Sequence, residues 1–243
     1  MNMQRYFLSS SQIHDATLQI LGTDVHHIKN VMRMSLGESL EAVDETGRIF
    51  ECVISALEKE AVVCQITSYR QSVQHTPHLH LAQALIRRER FEWVLEKATE
   101  LHVEKILPTQ FERSIVKSSD NAFSKLSRYE SIAKEASEQS HRDVLPTITT
   151  PFKLKDLPYE QYDDVLDCYE KEVVSNHIHK VIEQIKPSHH VLIIIGPEGG
   201  ISESELSFLE SRHAKFVSLG ELILRSETAS VYVLSAFLSH WGL

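Results

Sequence analysis

Two stretches of this 243-residue chain set residues that can do chemistry at the ends of apolar runs. The first is Val191-Leu192-Ile193-Ile194-Ile195, leading into Gly196-Pro197-Glu198-Gly199-Gly200-Ile201-Ser202. Glycine lets a backbone approach a ligand closely and reach φ > 0, and Pro197 stiffens the loop between the glycines. Ser202 and Glu205 have the spacing of a capping box, worth on the order of 1 kcal/mol at a helix start. The second stretch, Leu219-Gly220-Glu221-Leu222-Ile223-Leu224-Arg225-Ser226-Glu227-Thr228-Ala229-Ser230, also follows a strand-like run and opens a helix, bringing a guanidinium and a carboxylate to the turn. Neither has the spacing of a lysine-bearing phosphate loop or of GxGxxG, so phosphate cradling has weak support. Singly, each reads equally as a strand, a tight turn and a capped helix. Together they are two loops at strand ends, where α/β sheets hold small ligands.

The elements that must position these loops divide the chain near residue 72. Residues 1–72 carry short alternating strands at Ser39–Val43, Ile49–Ser55 and Ala61–Ile66, with a hairpin glycine in Asp44-Glu45-Thr46-Gly47, and suggest a small barrel. Gln71–His78, with Pro77 inside it, lacks periodicity and reads as a linker. Residues 73–243 alternate strands with helices, the pattern of an α/β layer with a mainly parallel sheet. The strands are Leu79–Ile86, Lys105–Pro108, Asp164–Cys168, Val191–Ile195 and Lys215–Ser218. Helical stripes run through Phe91, Val94, Leu95, Ala98 and Leu101, through Leu126, Tyr129, Ile132, Ala133 and Ala136, and along a last helix from about Glu227 to His240.

Composition restricts the partners. The formal net charge is -9, so a nucleic acid would have to be met by a local basic face. The densest cationic cluster is Arg87-Arg88-Glu89-Arg90, with Arg113, Lys117, Lys125, Arg128 and Arg142 beyond it; it reads as solvated surface or as such a face. Cys52, Cys64 and Cys168 are odd in number and widely spaced, which favours reduced thiols over disulfides or thiolate zinc. The histidines, among them His75, His78 and His80 and the pairs His26-His27 and His189-His190, lack HExxH or cysteine partners, and no functional metal is expected. No apolar run has the ~18 residues of a membrane helix, and Met1–Gln12 lacks the blocks of a signal peptide. The expectation is a cytoplasmic protein without membrane association.

The run Gly196–Gly200, the run Leu219–Ala229, Lys97-Ala98-Thr99-Glu100-Leu101 and Glu112-Arg113-Ser114 resemble, in order and spacing, the RsmE family of small-subunit (16S) ribosomal RNA uridine N3-methyltransferases in the SPOUT superfamily. The resemblance extends from Gln4-Arg5-Tyr6-Phe7 to Ala236. It implies an N-terminal PUA-like RNA-binding β-barrel over 1–72 and a SPOUT methyltransferase domain with a trefoil knot over 73–243. It also implies S-adenosylmethionine as cofactor, a homodimer, and 16S ribosomal RNA as substrate, in the assembled small subunit. Carried over position by position, the cofactor residues are Gly196, Pro197, Glu198, Gly199, Gly200, Leu219, Gly220, Ile223, Leu224, Arg225, Glu227, Thr228 and Ala229, with Tyr169-Glu170 as a third loop. Two departures stand out: Leu222 where the family usually has arginine, and His102 where it usually has glycine.

Neutral uridine N3 is a poor nucleophile, so the site must favour its anionic form. Arg225 or Arg113 is the candidate cation, with Glu227 or Glu198 as proton acceptor or ribose contact. Candidate RNA contacts are Arg5, Arg87, Arg88, Arg90 and Arg142; Arg5 reads either as a phosphate contact beside stacking Tyr6 and Phe7 or as the one exposed arginine of a core-filling first strand. His141 reads as a helix cap or as lining an RNA cleft. The stripe Val231, Leu234, Ser235 and Leu238 on the last helix reads as dimer interface or as internal core. The competing functions are a non-enzymatic RNA-binding module, an α/β enzyme using a nucleotide, and a SPOUT methyltransferase with a different target nucleotide.

Overall fold

The computed structural model describes residues 3–73, 76–117, 122–169 and 176–242, with residues 122–124 described by their backbone alone. His75 and Glu170, both named above, lie outside the described residues. The chain forms two compact units, Met1–Gln74 with Ser137–Leu145, and His75–Ala136 with Pro146–Leu243.

In the first unit β1 (Gln4–Leu8), β2 (Ile13–His14), β3 (Thr17–Leu21), β4 (Ser39–Asp44), β5 (Arg48–Leu57) and β6 (Ala61–Gln71) pair in the order β1-β4-β5-β6-β3-β2. Only β1 and β4 run parallel; the other pairs are antiparallel. Helix α1 (Thr23–His26) continues into a π-helical turn at His27–Val31. The hairpin between β4 and β5 is built on Asp44, whose Oδ1 accepts from the backbone N–H of Thr46 at 2.9 Å and of Arg48 at 3.0 Å. Strands β5 and β6 run beyond the ends read from the sequence. The far half of β6 is exposed, so it carries no apolar alternation, while its backbone ladder to β5 continues to Gln71. The core holds Tyr6, Leu18, Ile20, Ile28, Leu40, Ile54 and Val62.

Arg5 belongs to this interior. Its side chain is 4% exposed, and Nε and Nη2 donate to Glu41 Oε2 at 2.9 and 2.7 Å. Nη1 donates to Asp143 Oδ1 at 2.7 Å and to the carbonyl of Arg142 at 2.9 Å, with the His141 carbonyl also in reach. Arg142 is buried too, with Nε on the Val144 carbonyl at 3.2 Å. The reading of Arg5 and Arg142 as RNA contacts is therefore corrected: the Arg5 guanidinium spends its donors on carboxylates and carbonyls, and Arg142 is buried away from any phosphate. His141 follows the helix that ends at Gln139, taking φ 56 with its Nδ1 3.7 Å from Glu41 Oε2.

In the second unit β7 (His78–Ala84), β8 (Lys105–Gln110), β9 (Thr147–Ile148), β10 (Phe152–Lys153), β11 (Asp164–Cys168), β12 (His190–Ile195) and β13 (Lys215–Val217) form one parallel sheet, ordered β10-β8-β7-β12-β11-β13 with β9 beside β8. Parallel strands are covered on both faces and so read as unbroken apolar runs, which is why Val191–Ile195 is 2% exposed or less throughout. The helices are α2 (Arg88–Glu100), α3 (Ala122–Gln139), which from Ser137 on belongs to the first unit, α4 (Ile178–Ile182), α5 (Glu203–Ser211) and α6 (Ser226–Trp241). Helix α2 buries Phe91, Val94, Leu95 and Ala98, and packs on α6. It ends with His102 at φ 64 and Val103 N–H bonded to the Ala98 carbonyl, so histidine occupies a left-handed position that suits glycine. On α6, Leu234 is fully buried in this unit's own core, whereas Val231, Ser235 and Leu238 are half-buried. Leu234 thus takes the internal-core reading.

Candidate functional site

The first loop begins where β12 ends. Ser202 caps α5 as its spacing predicts: its hydroxyl accepts from Glu205 N–H at 3.2 Å, and Glu205 Oε2 accepts from Ser202 N–H at 3.0 Å. Glu205 is buried, and its other oxygen accepts from the Glu112 N–H at 2.7 Å, which fastens the segment after β8 against this loop. The approach is close at Gly199, where an added Cβ would sit 3.0 Å from the Arg113 carbonyl oxygen and 3.1 Å from its Cβ, tighter than most side-chain contacts.

The second loop runs from β13 to α6. Gly220 takes φ 121, a conformation that L side chains rarely adopt, and a Cβ there would meet nothing within 4 Å. Arg225 takes the N-cap position of α6 but makes no side-chain cap hydrogen bond. Ser226 instead reaches across: its hydroxyl donates to the Gly196 carbonyl at 2.7 Å and accepts from Gln83 Nε2 at 2.9 Å. Ser230 donates to Gln83 Oε1, and its hydroxyl also lies 3.0 Å from the Ser226 carbonyl. Gln83 is wholly buried, so this neutral network ties β7, the end of β12 and the first turn of α6 together beneath the loops.

Between the two loops lies a cavity of about 300 Å³. Of the residues carried over as cofactor contacts, Gly196, Pro197, Glu198, Gly200, Leu219, Gly220, Ile223, Leu224, Arg225 and Ala229 line it, and Gly199, Glu227 and Thr228 do not. Tyr169 lines it as well, as does Leu222. Arg225 is exposed and, among the described residues, forms no ion pair, while Arg113 stands behind the first loop with Nη1 at 3.4–3.5 Å from the carbonyls of Ile201 and Gly199. Ser226 and Cys168 are wall residues that the sequence reading did not select. Burial pushes the Cys168 thiol well above its ordinary value, with the Asp167 charge adding to the shift, so it is a neutral wall rather than a thiolate nucleophile. Gln83 was legible only as a polar residue inside the apolar run 79–86.

The cationic cluster separates into different environments. Arg87 and Arg88 are exposed, and Arg88 Nε pairs with Glu92 at 2.7 Å. Arg90 turns to the loops, with Nη1 3.2 Å from Glu198 Oε1 and Nε 3.5 Å from Glu227 Oε1. Among the described residues no three histidines, cysteines or carboxylates converge on a metal position, and no helix is long and apolar enough to cross a membrane.

The donor set suits a small cofactor with apolar and polar ends. Ile195, Leu219, Ile223 and Ala229 supply apolar wall, Glu198 and Arg225 supply charge, and the volume is at the lower end of the ~300–1,000 Å³ typical of small-molecule sites. Comparisons with known proteins agree with this geometry. The family described as RNA methyltransferase domain matches residues 74–238, and the RNA methyltransferase PUA domain matches residues 20–67. A Bacillus subtilis (strain 168) protein named ribosomal RNA small subunit methyltransferase E is 34% identical over 244 residues, 96% of this chain and 95% of that protein. A Rickettsia conorii protein of the same name is 27% identical, covering 95% and 93% of the two chains. The crystal structure of ribosomal RNA small subunit methyltransferase E from Neisseria gonorrhoeae bound to S-adenosyl methionine matches with a TM-score of 0.83 at 26% identity, over 99% of this chain and 98% of that one.

Proposed function

This chain belongs to the ribosomal RNA small subunit methyltransferase E family, and on that footing we propose that it methylates N3 of a uridine in 16S ribosomal RNA. It is an S-adenosylmethionine-dependent RNA methyltransferase, a mixed α/β protein with an N-terminal PUA-like domain. The observation that carries the proposal is the cavity shared by the loops after β12 and β13 inside the segment matched by the methyltransferase family.

Gly196–Gly200 and Leu219–Arg225 would hold the cofactor by backbone and apolar contact, with Ala229 closing the wall. When bound, S-adenosylmethionine supplies a sulfonium methyl for in-line displacement. The chain's part is alignment, worth several kcal/mol by proximity, and stabilisation of the uracil anion. Arg225 is the cation in the wall and would stabilise negative charge on the uracil oxygens as the N3 proton leaves. Glu198, in the same wall, is the carboxylate placed to accept that proton or to hold a ribose; Glu227, turned to Arg90, acts on the loops.

The finer architecture belongs to the same proposal. Residues 1–72 would form the RNA-binding barrel and 73–243 a SPOUT-type knotted domain, supported by the parallel sheet in which β12 lies between β7 and β11. Exposed Arg87 and Arg88 would contact phosphate. A cytoplasmic homodimer acting on the assembled small subunit completes the reading, the half-buried Val231, Ser235 and Leu238 supporting an α6 interface.

Two measurements test it. With methyl-labelled S-adenosylmethionine and small subunits lacking the modification, label is expected in N3-methyluridine on nucleoside analysis; label in another nucleoside would keep the enzyme class and replace the target. Gly220→Val, which forces a β-branched residue into φ 121, is expected to weaken cofactor binding about 10–100-fold by calorimetry, from strain of roughly 1–3 kcal/mol. Unchanged affinity would remove this loop from the cofactor site.

A further inference from the structure

Helix α2 opens with a charge pattern that helix formation does not favour. Arg88 and Arg90 occupy its first turn and Arg87 its N-cap, although the positive end of a helix dipole disfavours cations by about 0.3–1 kcal/mol each. Glu92 is near Arg88 and offsets it. Arg90 is offset by two carboxylates from elsewhere: Glu198 in the loop after β12, at 3.2 Å, and Glu227 in the first turn of α6, at 3.5 Å. One guanidinium therefore bridges the two segments whose loops wall the cavity.

Glu227 makes the bridge consequential. Its side chain is 13% exposed, and Oε2 is buried with no hydrogen-bond partner, so beside the favourable N-terminal end of α6 the Arg90 contact is the carboxylate's one ion pair among the described residues. Removing one partner of such a pair leaves an uncompensated buried charge, which the surrounding backbone must move to hydrate. The backbone here is the start of α6, next to Arg225. The Gln83–Ser226–Gly196 network ties the same two segments from below by neutral, fully buried groups. Arg90, about one-third exposed, ties them at the rim.

We propose that Arg90 is a positioning residue of the methyl-transfer site, a clamp that fixes the spacing between the Gly196–Gly200 loop and the start of α6. This replaces the reading of Arg90 as an RNA contact. It rests on the proposed cofactor site for its consequence, though not for its geometry. The clamp acts on the free protein, setting the cavity width before any ligand enters, so its loss weakens binding by leaving the loops to be ordered at the moment of binding.

The test compares Arg90→Ala, Arg90→Lys and Glu198→Gln with the unaltered full chain. In the absence of ligand, amide hydrogen exchange is expected to quicken in residues 196–200 and 219–229 of Arg90→Ala, with the exchange of β7 and β8 unchanged. S-adenosylmethionine affinity by calorimetry is expected to fall about tenfold, and turnover at saturating cofactor to fall far less. Arg90→Lys should recover part of the affinity, and Arg90→Ala should cost less in a Glu198→Gln background than alone. Unchanged loop exchange and cofactor affinity, with weaker RNA binding and a salt dependence reduced by about one ion, would overturn the clamp and restore the phosphate contact. If loop exchange responds to Arg90→Ala while the unaltered protein fails to bind S-adenosylmethionine, the clamp stands and the proposed function falls.

Discussion

Replacing Arg5 by alanine is expected to destabilise the first unit by about 3–5 kcal/mol, the cost of leaving a buried carboxylate without its cation. The partners are explicit. Arg5 stands opposite Glu41 in the parallel register of β1 and β4, and its guanidinium donates to Glu41, Asp143 and the carbonyls of His141 and Arg142. After the substitution Asp143 keeps Arg70, at 3.2 Å, whereas Glu41, 12% exposed, keeps among the described residues only the His141 ring at 3.7 Å. The segment 137–145 loses these bonds to β1 and keeps the weaker ones, from Phe7 N–H to Glu138 Oε1 at 3.4 Å and from Arg70 to Asp143. Both tryptophans, Trp93 and Trp241, belong to the second unit, so their fluorescence would not report the loss. Amide exchange in β1 and β4 reads it directly. The double variant Arg5→Met, Glu41→Leu removes the charge together with its partner and is expected to recover much of the stability. Equal exchange in the unaltered protein and Arg5→Ala would show that the buried pair contributes nothing.

Arg225→Ala is expected to reduce turnover about 10²–10³-fold, the range found when one preorganised charge stabiliser is removed from an active site. Thermal stability should change little, because the Arg225 side chain makes no cap bond to α6 and no ion pair among the described residues, and cofactor affinity should fall far less than turnover, because the backbone and apolar wall of this loop are kept. The separation of turnover from affinity is the point of the experiment. Arg113→Ala is the contrast: its guanidinium reaches the carbonyls of Gly199 and Ile201 behind the first loop, so its loss should act through affinity. Turnover retained in Arg225→Ala would remove that residue from the reaction and leave the wall carboxylate Glu198 as the charged group to pursue. The Leu222 departure matters here, since it is 80% exposed beside the cavity and leaves Arg225 as the cation of this loop.

The α/β layer was legible because its determinants are local. A strand covered on both faces must be apolar along its length, and Val191–Ile195 is; a helix start needs a cap, and Ser202 with Glu205 supplies it. The loops after β12 and β13 were legible for the same reason, glycine being the residue that tight strand ends require. The outer half of β6 was not, since exposed strands need no apolar alternation and are held by the backbone ladder to β5.

The charged residues divide differently. An arginine letter in the sequence is the same whether its partner is water, phosphate or a carboxylate over a hundred positions away. Arg5 meets the Asp143 carboxylate 138 positions on, and Arg90 meets Glu198 at a separation of 108. Gln83 finds Ser226 at 143. By itself the sequence determined the central strands of the α/β layer, the long helices and which two loops could hold a ligand, because backbone conformation and burial periodicity are set by near neighbours; β2, β3, β9, β10, α1 and α4 are too short to carry such a pattern. Which cations are buried, which clamp the loops and which stand free in the cavity wall was decided by the tertiary structure, because electrostatic pairing depends on distance in space and on access to water, and neither is a property of a residue's neighbours in the chain.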